Sequence, residues 1–306
     1  MATDRKLSNS APKGVFVALA TTLNEDASVD YASLSKLLDH VVGGGVDGVC
    51  PVGSTGEGPL LQRVDRVEIT RFARSRVSDS LHVIPATVSV TPADTIADLH
   101  SYHEVGANSA LVPPPFYYPM EPRAIRDFFL TIADESPLPV VIYNIPQMTK
   151  VQIAPALVGE LGEHENIIGI KDSSRDFEYF SSVCDQVTLH DLDNFSVLTG
   201  TDTMLSSCNL VGGSGTIAAS VNLVPKLVVD LHKATLAKDY DKANEYQVRL
   251  LRIVQACRVP GFPAGWKAAL SLLGLCGLTT AKPTKVAETS QVEKLRSALV
   301  DLGVIE

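Results

Sequence analysis

The alternation of strand-like and helix-like segments limits what this chain can fold into more than any other feature. Eight short runs of β-branched and other apolar residues, typical of fully buried strands, occur between residues 14 and 238. Most are followed by a segment with apolar residues at helical spacing, as at Leu34, Leu37, Leu38 and Val41. This pattern predicts an α/β fold, and eight repeats favour a (β/α)8 TIM barrel over an open doubly wound sheet.

The predicted elements divide the chain into a lead-in, a barrel and an extension. We expect strands at 14–23, 46–52, 82–87, 108–113, 139–143, 167–171, 196–199 and 215–218. Residues 1–13 are predicted to be a disordered N-terminal lead-in, residues 14–238 the catalytic barrel, and residues 239–306 a C-terminal helical extension. In the extension, apolar periodicity predicts helices at 240–257, 266–275 and 292–302.

The overall composition restricts the class of protein. With 306 residues, 45% hydrophobic and 20% charged, the chain has the composition of a soluble globular enzyme. A net charge of -9 argues against nucleic acid or an anionic membrane as the main partner. Neither a signal-peptide pattern nor an apolar run of membrane-spanning length is present, so we expect a cytoplasmic protein. The five cysteines form no C-x-x-C pair, which argues against a disulfide framework and a zinc site.

The strand that ends in Lys171 carries the strongest single candidate for chemistry. Residues 166–174 have the sequence N-I-I-G-I-K-D-S-S, an apolar run that ends in one lysine and becomes polar immediately afterwards. An ammonium ion is poorly solvated at the end of a buried strand, which favours the neutral amine that can attack a carbonyl and form a Schiff base. The alternative is a lysine that only caps the strand and extends to solvent.

Further polar residues follow other predicted strands, where a TIM barrel places its active-site groups. Gly53, Ser54 and Thr55 can present N–H and O–H donors to a carboxylate, or they form only a tight turn. Tyr117, in the loop P-P-P-F-Y-Y-P, is either a wall of the site or a packing contact between subunits. Tyr143 ends the strand that precedes the lysine strand, and it is either a proton shuttle or a barrel-lining tyrosine.

Together these motifs resemble one known family. G-S-T-G-E, F-Y-Y-P, Y-N-I-P and G-I-K, in this order and spacing, are similar to the motifs of the dihydrodipicolinate synthase / N-acetylneuraminate lyase family. The resemblance extends over nearly the whole chain, from Gly14 into the C-terminal helices. It implies a pyruvate-type class I aldolase on a TIM barrel, usually a homotetramer, that needs no metal or other cofactor beyond the imine itself.

The resemblance also implies roles for individual residues. Lys171 would form the Schiff base, and Tyr143 would pass protons to and from the substrate. Ser54 and Thr55 would hold the carboxylate of a 2-oxo acid, and Ser54 would link Tyr143 to Tyr117. In this family the tyrosine that matches Tyr117 commonly serves the proton relay of a neighbouring subunit.

Two further positions are candidates for substrate contact. The backbone carbonyl of Ile217, in G-G-S-G-T-I, matches the carbonyl that faces the lysine in the family. Ser173 adds a hydroxyl just after the lysine, and similar K-D-S runs occur in several 2-oxo acid aldolases of the family.

Departures from the family patterns bear on the substrate. Met148 stands where dihydrodipicolinate synthases typically have an arginine for the carboxylate of the aldehyde, and methionine cannot form that bidentate pair. Thr203 and Ala219 replace a glutamate and a serine that contact the sugar in sialic acid lyases. Asp202 remains as a candidate acceptor for sugar hydroxyls.

These departures favour a lyase that cleaves or forms a 2-keto-3-deoxy sugar acid, with pyruvate and an aldehyde as its small-molecule partners. Within the family, a 4-hydroxy-tetrahydrodipicolinate synthase with a divergent carboxylate site and a 2-oxo acid dehydratase or deaminase stay open as alternatives. A non-catalytic sensor of 2-oxo acids is the alternative from another class, although a sensor has no need of an acid/base tyrosine.

Overall fold

Eight parallel strands form the centre of the fold in the computed structural model, which describes residues 10–306. They are β1 Gly14–Ala18, β2 Gly48–Cys50, β3 His82–Val83, β4 Ala110–Val112, β5 Val140–Asn144, β6 Ile167–Asp172, β7 Ser196–Thr199 and β8 Gly215–Ala218. Neighbouring strands follow the order β3-β2-β1-β8-β7-β6-β5-β4. A parallel bridge between Ala86, just after β3, and Leu111 of β4 joins the two ends of this sheet. The sheet therefore closes into the predicted (β/α)8 barrel.

Helices alternate with the strands and cover the outside of the barrel. They are α1 Tyr31–Gly43, α2 Arg63–Arg76, α3 Pro92–Glu104, α4 Pro122–Glu135, α5 Pro146–Thr149, α6 Pro155–Gly162, α7 Phe177–Leu189, α8 Leu205–Leu210 and α9 Pro225–Leu236. The chain then continues as α10 Tyr240–Arg258, α11 Ala264–Leu272 and α12 Thr289–Asp301, which form a C-terminal helical extension. Among residues 10–306, the helices are all too short or too polar to cross a membrane.

Alternating side chains along the strands separate two apolar cores. In β1, Val15 and Val17 belong to the outer core between sheet and helices, whereas Phe16 and Ala18 belong to the inner core of the barrel. The inner core reaches Tyr143 at the carboxyl end of β5. The polar groups of this end therefore stand on a close-packed apolar floor, which holds them in defined positions.

Several observed elements differ from the predicted ones. β1 ends at Ala18 and not at residue 23, because the following chain leaves the sheet and Thr21 Oγ1 donates a hydrogen bond to Gly56 O. β3 is two residues long, since the chain after Val83 contacts its neighbours through separate hydrogen bonds and a bridge. The sequence does not predict α5, because a four-residue helix after a turn is too short to show periodicity.

The N-terminal lead-in is described only in part. Residues 1–9 of the predicted disordered segment lie outside the described residues. Ala11 is buried against the inner core, and its amide donates a hydrogen bond to Asn194 Oδ1 at 3.0 Å. At Ala11 the chain is therefore already packed against the barrel.

Candidate active site

Lys171 and Tyr143 lie side by side at the carboxyl ends of β6 and β5. The two residues are paired in register, and both are buried, with 5% and 4% of their surface exposed. Lys171 Nζ lies 4.3 Å from the centre of the Tyr143 ring. The predicted contact between the lysine and the tyrosine is therefore present, and the amine is shielded from bulk solvent.

A bulge in β6 turns Lys171 into the barrel. The register of β5 and β6 shifts by one residue after Val140, which inserts Ile168 into β6. As a result Ile168 and Lys171, an odd number of residues apart, both face the interior, because a bulge redirects the side chains that follow it. Gly169 suits this place, since a Cβ there would lie 2.6 Å from Ser196 O.

The loop after β2 brings a hydroxyl to Tyr143. Ser54 Oγ and Tyr143 OH are 3.2 Å apart, and either oxygen can donate in this hydrogen bond. The next residue, Thr55, is buried. Gly58 is required for the tight return of this loop, because a Cβ there would overlap Val52 O. The predicted link between Ser54 and Tyr143 is thus part of a rigid turn.

A buried ion pair attaches this loop to the C-terminal extension. Glu57 has a left-handed backbone, with φ of 58°, and its Oε1 lies 2.6 Å from Lys267 Nζ of α11. Glu57 Oε2 accepts a hydrogen bond from Ala281 N at 2.7 Å. Burial lowers the pKa of Lys267, and the Glu57 carboxylate opposes that shift. The G-S-T-G-E loop is therefore fixed from outside the barrel as well as from within it.

A second polar network positions the loop after β6. Asn144 Nδ2 donates to Asp172 Oδ1 at 2.8 Å, and Ser174 Oγ donates to Asp172 Oδ2 at 2.8 Å. Burial raises the pKa of Asp172, while the hydrogen bonds from Asn144 and Ser174 act against that shift. Gln147 Nε2 donates to the carbonyls of Ser173 and Ser174, both at 2.8 Å. This network holds the segment that immediately follows the lysine.

A cavity of about 340 Å³ opens at these strand ends. It brings together most of the residues predicted from separate motifs, namely Ser54, Thr55, Tyr143, Lys171, Ser173, Asp202 and Ile217. The predicted site residue Gly53 lines an adjoining, mainly apolar cavity of about 370 Å³, which shares Ser54 and Tyr143 with the first. Met148 and Ala219 also line the lysine cavity, so neither supplies a charged group there.

Asp202 and Tyr117 occupy positions that limit their predicted roles. Asp202 is buried, and its Oδ1 accepts a hydrogen bond from Ser220 N at 2.8 Å, so part of its capacity to accept from substrate hydroxyls is already used. Tyr117 is 84% exposed, with φ of 85°, and its ring packs on Tyr118. Within one chain, the structure therefore does not bring Tyr117 to Ser54.

Gly200 leaves space for the lysine side chain, and sequence reasoning did not single it out. Its amide donates to Asp172 O at 2.6 Å. A Cβ at Gly200 would overlap Ser173 Oγ and would lie 2.9 Å from Lys171 Cε. In the sequence, only the glycine of G-T-D-T indicates this close approach. Its role is visible only when β6 and β7 are placed side by side, because that brings Gly200 next to Lys171.

The C-terminal extension supplies further walls of the cavity that the sequence does not predict. Arg258 at the end of α10, Phe262 after it and Trp266 of α11 all line the cavity. Arg175, in the loop between β6 and α7, also lines the cavity. The three residues of the extension are far from the barrel motifs in sequence, so no local pattern connects them with the site.

The described part of the chain, residues 10–306, contains no cluster of three or more His, Cys, Asp or Glu side chains placed to hold a metal ion. The chemistry that the cavity offers is that of a shielded amine beside a hydrogen-bonded phenol. Such an arrangement on a TIM barrel defines the class of protein, a class I lyase or aldolase that works through a lysine Schiff base.

Comparison with known proteins places the chain more closely. The model of the dihydrodipicolinate synthetase family matches residues 11–302. A 4-hydroxy-tetrahydrodipicolinate synthase of Gluconacetobacter diazotrophicus is 31% identical over 294 residues, which cover 96% of this chain and 98% of that protein. An uncharacterized DapA-like lyase of Thermofilum pendens is also 31% identical over 294 residues, with 95% and 97% covered.

A solved structure agrees with these sequence matches. YagE, a prophage protein of E. coli K12 that belongs to the dihydrodipicolinic acid synthase family, was solved in complex with pyruvate. It superposes with a TM-score of 0.90 at 30% identity, covering 95% of this chain and 99% of that one. The chain therefore belongs to the dihydrodipicolinate synthetase family, which confirms the predicted resemblance.

Proposed function

We propose that this enzyme cleaves or forms a 2-keto-3-deoxy sugar acid, with pyruvate and an aldehyde as the other reaction partners. The observation that carries the proposal is the buried amine of Lys171, 4.3 Å from the Tyr143 ring, whose hydroxyl contacts Ser54 Oγ at 3.2 Å. YagE, which has the same fold and 30% identity, was solved with pyruvate. That complex supports pyruvate as the 2-oxo acid bound at Lys171.

In the cleavage direction, the proposed chemistry begins with attack of the neutral Lys171 amine on the C2 carbonyl. Loss of water gives a protonated imine, which accepts the electron pair of the C3–C4 bond when that bond breaks. Tyr143 takes the proton of the C4 hydroxyl as the aldehyde forms, and Ser54 is placed to relay it. Protonation of the enamine at C3 and hydrolysis of the imine then release pyruvate and restore the lysine.

The loop at Ser54 and Thr55 is the proposed site for the carboxylate of the 2-oxo acid. Both residues line the lysine cavity, and the tight turn closed at Gly58 fixes the backbone that carries them. No metal or other cofactor enters this proposal, because the protonated imine is itself the electron sink.

The second candidate function is that of the named relatives, 4-hydroxy-tetrahydrodipicolinate synthesis. It is favoured by the 31% identity to the enzyme of Gluconacetobacter diazotrophicus over nearly the full length of both chains. Met148 opposes it, because this residue lines the cavity without a charge where such synthases typically carry an arginine. Incubation with pyruvate and aspartate semialdehyde, followed by detection of the cyclic product, distinguishes the two functions.

We also propose a homotetramer in which Tyr117 serves a neighbouring subunit. Tyr117 is exposed and has a left-handed backbone. The apolar cavity beside Ser54 and Tyr143 supports this role, because it is large enough for an aromatic ring from another chain. Sedimentation analysis should give four copies. Tyr117→Phe should then lower turnover without changing the sedimentation coefficient.

Borohydride trapping tests the central step. In the presence of pyruvate, reduction should add mass to the peptide that contains Lys171, and Lys171→Ala should remove the signal. Lys267 is a useful internal control, because it is also buried but is paired with Glu57. Trapping at Lys267 contradicts the assignment of Lys171, and the absence of any trapping at Lys171 contradicts the proposal and favours the non-catalytic sensor.

A further inference from the structure

Two arginines without a partner stand at the cavity that contains Lys171. Arg175 and Arg258 both line this cavity. Arg175 comes from the loop after β6, and Arg258 is the last residue of α10, so barrel and extension each contribute one. Within residues 10–306, neither guanidinium makes a hydrogen bond or an ion pair. Two guanidinium groups left open towards one cavity form a ready site for an anion, because each offers several N–H donors in a planar fork.

The backbone at Arg175 is held in an uncommon conformation. Its φ is 66°, in the left-handed region that residues other than glycine adopt rarely. The preceding loop is fixed by the bonds from Gln147 to the carbonyls of Ser173 and Ser174, and the next residue, Asp176, caps α7. The Cα of Arg175 is therefore fixed on both sides. A strained residue kept in place by its surroundings is a recognised feature of ligand sites.

The charges on the cavity wall are mainly positive. Apart from the reacting amine of Lys171, Arg175 and Arg258 supply two cations, and Asp202 is the opposing carboxylate among the lining residues. Asp202 is already engaged through Oδ1 with Ser220 N. The chain as a whole carries a net charge of -9, so the charge of this cavity wall is opposite in sign to that of the whole chain. A cleft of one sign attracts ligands of the other.

From these observations we propose that Arg175 and Arg258 bind a second anionic group, at the end of the substrate away from the imine. The inference rests on the proposed function, because it takes the first carboxylate to lie at Ser54 and Thr55. It assigns the substrate class: sugar acids, and the corresponding aldehydes, that end in a carboxylate or a phosphate. The two arginines also supply the positive charge that Met148 does not bring to the cavity.

Binding of matched 2-oxo acids tests this second anion site without requiring turnover. 2-Oxoadipate and 2-oxohexanoate have the same chain length and differ in a terminal carboxylate against a methyl group. Trp266, the single tryptophan of the chain, lines the cavity, so its emission reports binding of both, with calorimetry as a second readout. We expect 2-oxoadipate to bind about 10- to 100-fold more tightly than 2-oxohexanoate, because a hydrogen bond to a charged group typically changes an affinity by that factor.

Variants assign that preference to the two arginines. Arg175→Asn, in which asparagine tolerates the left-handed backbone, and Arg258→Gln should each reduce the preference about tenfold. Arg252→Gln is the matched control, because Arg252 is exposed on the same helix and does not line the cavity. Equal affinity for the two acids in the unmodified enzyme, or an undiminished preference in the double variant Arg175→Asn/Arg258→Gln, overturns the inference.

Condensation with pyruvate identifies the anion. Glyceraldehyde 3-phosphate is compared with glyceraldehyde, and succinic semialdehyde with butanal, by kcat/KM. In each pair, the ratio of kcat/KM for the anionic aldehyde to that for the neutral one is measured. The pair with the larger ratio shows whether phosphate or carboxylate is the terminal group. That ratio should be reduced by Arg258→Gln and unaffected by Arg252→Gln. Ratios near one in both pairs contradict the inference. Failure of borohydride trapping at Lys171 contradicts the proposed function instead, and the binding measurement still decides the anion site.

Discussion

Replacement of Gly200 by alanine tests the geometry around the lysine most directly. The new Cβ would lie 2.9 Å from Lys171 Cε, whereas carbon atoms in contact are normally about 3.5–4.0 Å apart. The side chain of Lys171 must therefore move by roughly 0.6–1.1 Å, since Thr199 is paired in the sheet and the Gly200 amide is bonded to Asp172 O. Misplacement of a reacting group by about 1 Å can cost about 100-fold in rate. We expect Gly200→Ala to slow formation of the pyruvate imine by about that factor.

The assay is the time course of borohydride-trapped imine, with the urea midpoint measured in parallel to confirm folding. The same Cβ would overlap Ser173 Oγ, so the double variant Gly200→Ala/Ser173→Ala removes the overlap with that oxygen, leaves a 3.1 Å contact with the Cβ of residue 173 and keeps the contact with Lys171 Cε. It should remain slow. Gly43→Ala is the control, because a Cβ at Gly43 meets nothing within 4 Å. A trapping rate near that of the unmodified enzyme in Gly200→Ala refutes this account of the site.

Further substitutions test the relay, a buried ion pair and a buried histidine. Tyr143→Phe should lower turnover roughly 100-fold with trapping retained, and a near-normal rate would leave Tyr143 as a wall of the cavity. Lys267→Met should lower the free energy of unfolding by about 3–5 kcal/mol, because Glu57 stays buried without its partner. In the double variant Glu57→Gln/Lys267→Met the urea midpoint should partly recover. Equal midpoints in the single and the double variant would contradict the pairing. Burial lowers the pKa of His232 in the folded state, so protonation favours unfolding and stability is lost as the pH falls through the unfolded and then the folded value. His232→Gln should therefore reduce the fall in urea midpoint between about pH 7.5 and about pH 5.5, and an identical fall in both proteins would exclude this histidine as its source.

The barrel and its principal residues could be predicted because the information is local. The apolar run before Lys171 and the motif at Tyr143 each identify a strand end, and neighbouring strands in a barrel bring their ends together. The loop at Ser54 follows the same rule. What the period-two pattern could not show is the inserted residue Ile168, which decides the face on which Lys171 lies.

Long-range packing explains the features that the sequence did not reveal. Arg258 and Trp266 reach the cavity only because the extension folds over the barrel, and no spacing rule links them to the strands. Tyr117 illustrates the opposite limit, since its motif was recognisable but its place in one chain is on the surface. Asp202 was identified, yet the hydrogen bond from Ser220 that occupies one of its oxygens depends on the turn after β8.

The ion pair between Glu57 and Lys267 has a consequence for how this protein can be shortened or recombined. A barrel ending near residue 238 would keep every strand and Lys171, but it would remove both partners of the Glu57 carboxylate, Lys267 Nζ and Ala281 N. The turn that carries Ser54 and Thr55 would then lose the contacts that fix it from outside the barrel. We therefore expect the barrel without its extension to be inactive. In a chimaera, Glu57 and Lys267 should be taken together from the same parent protein.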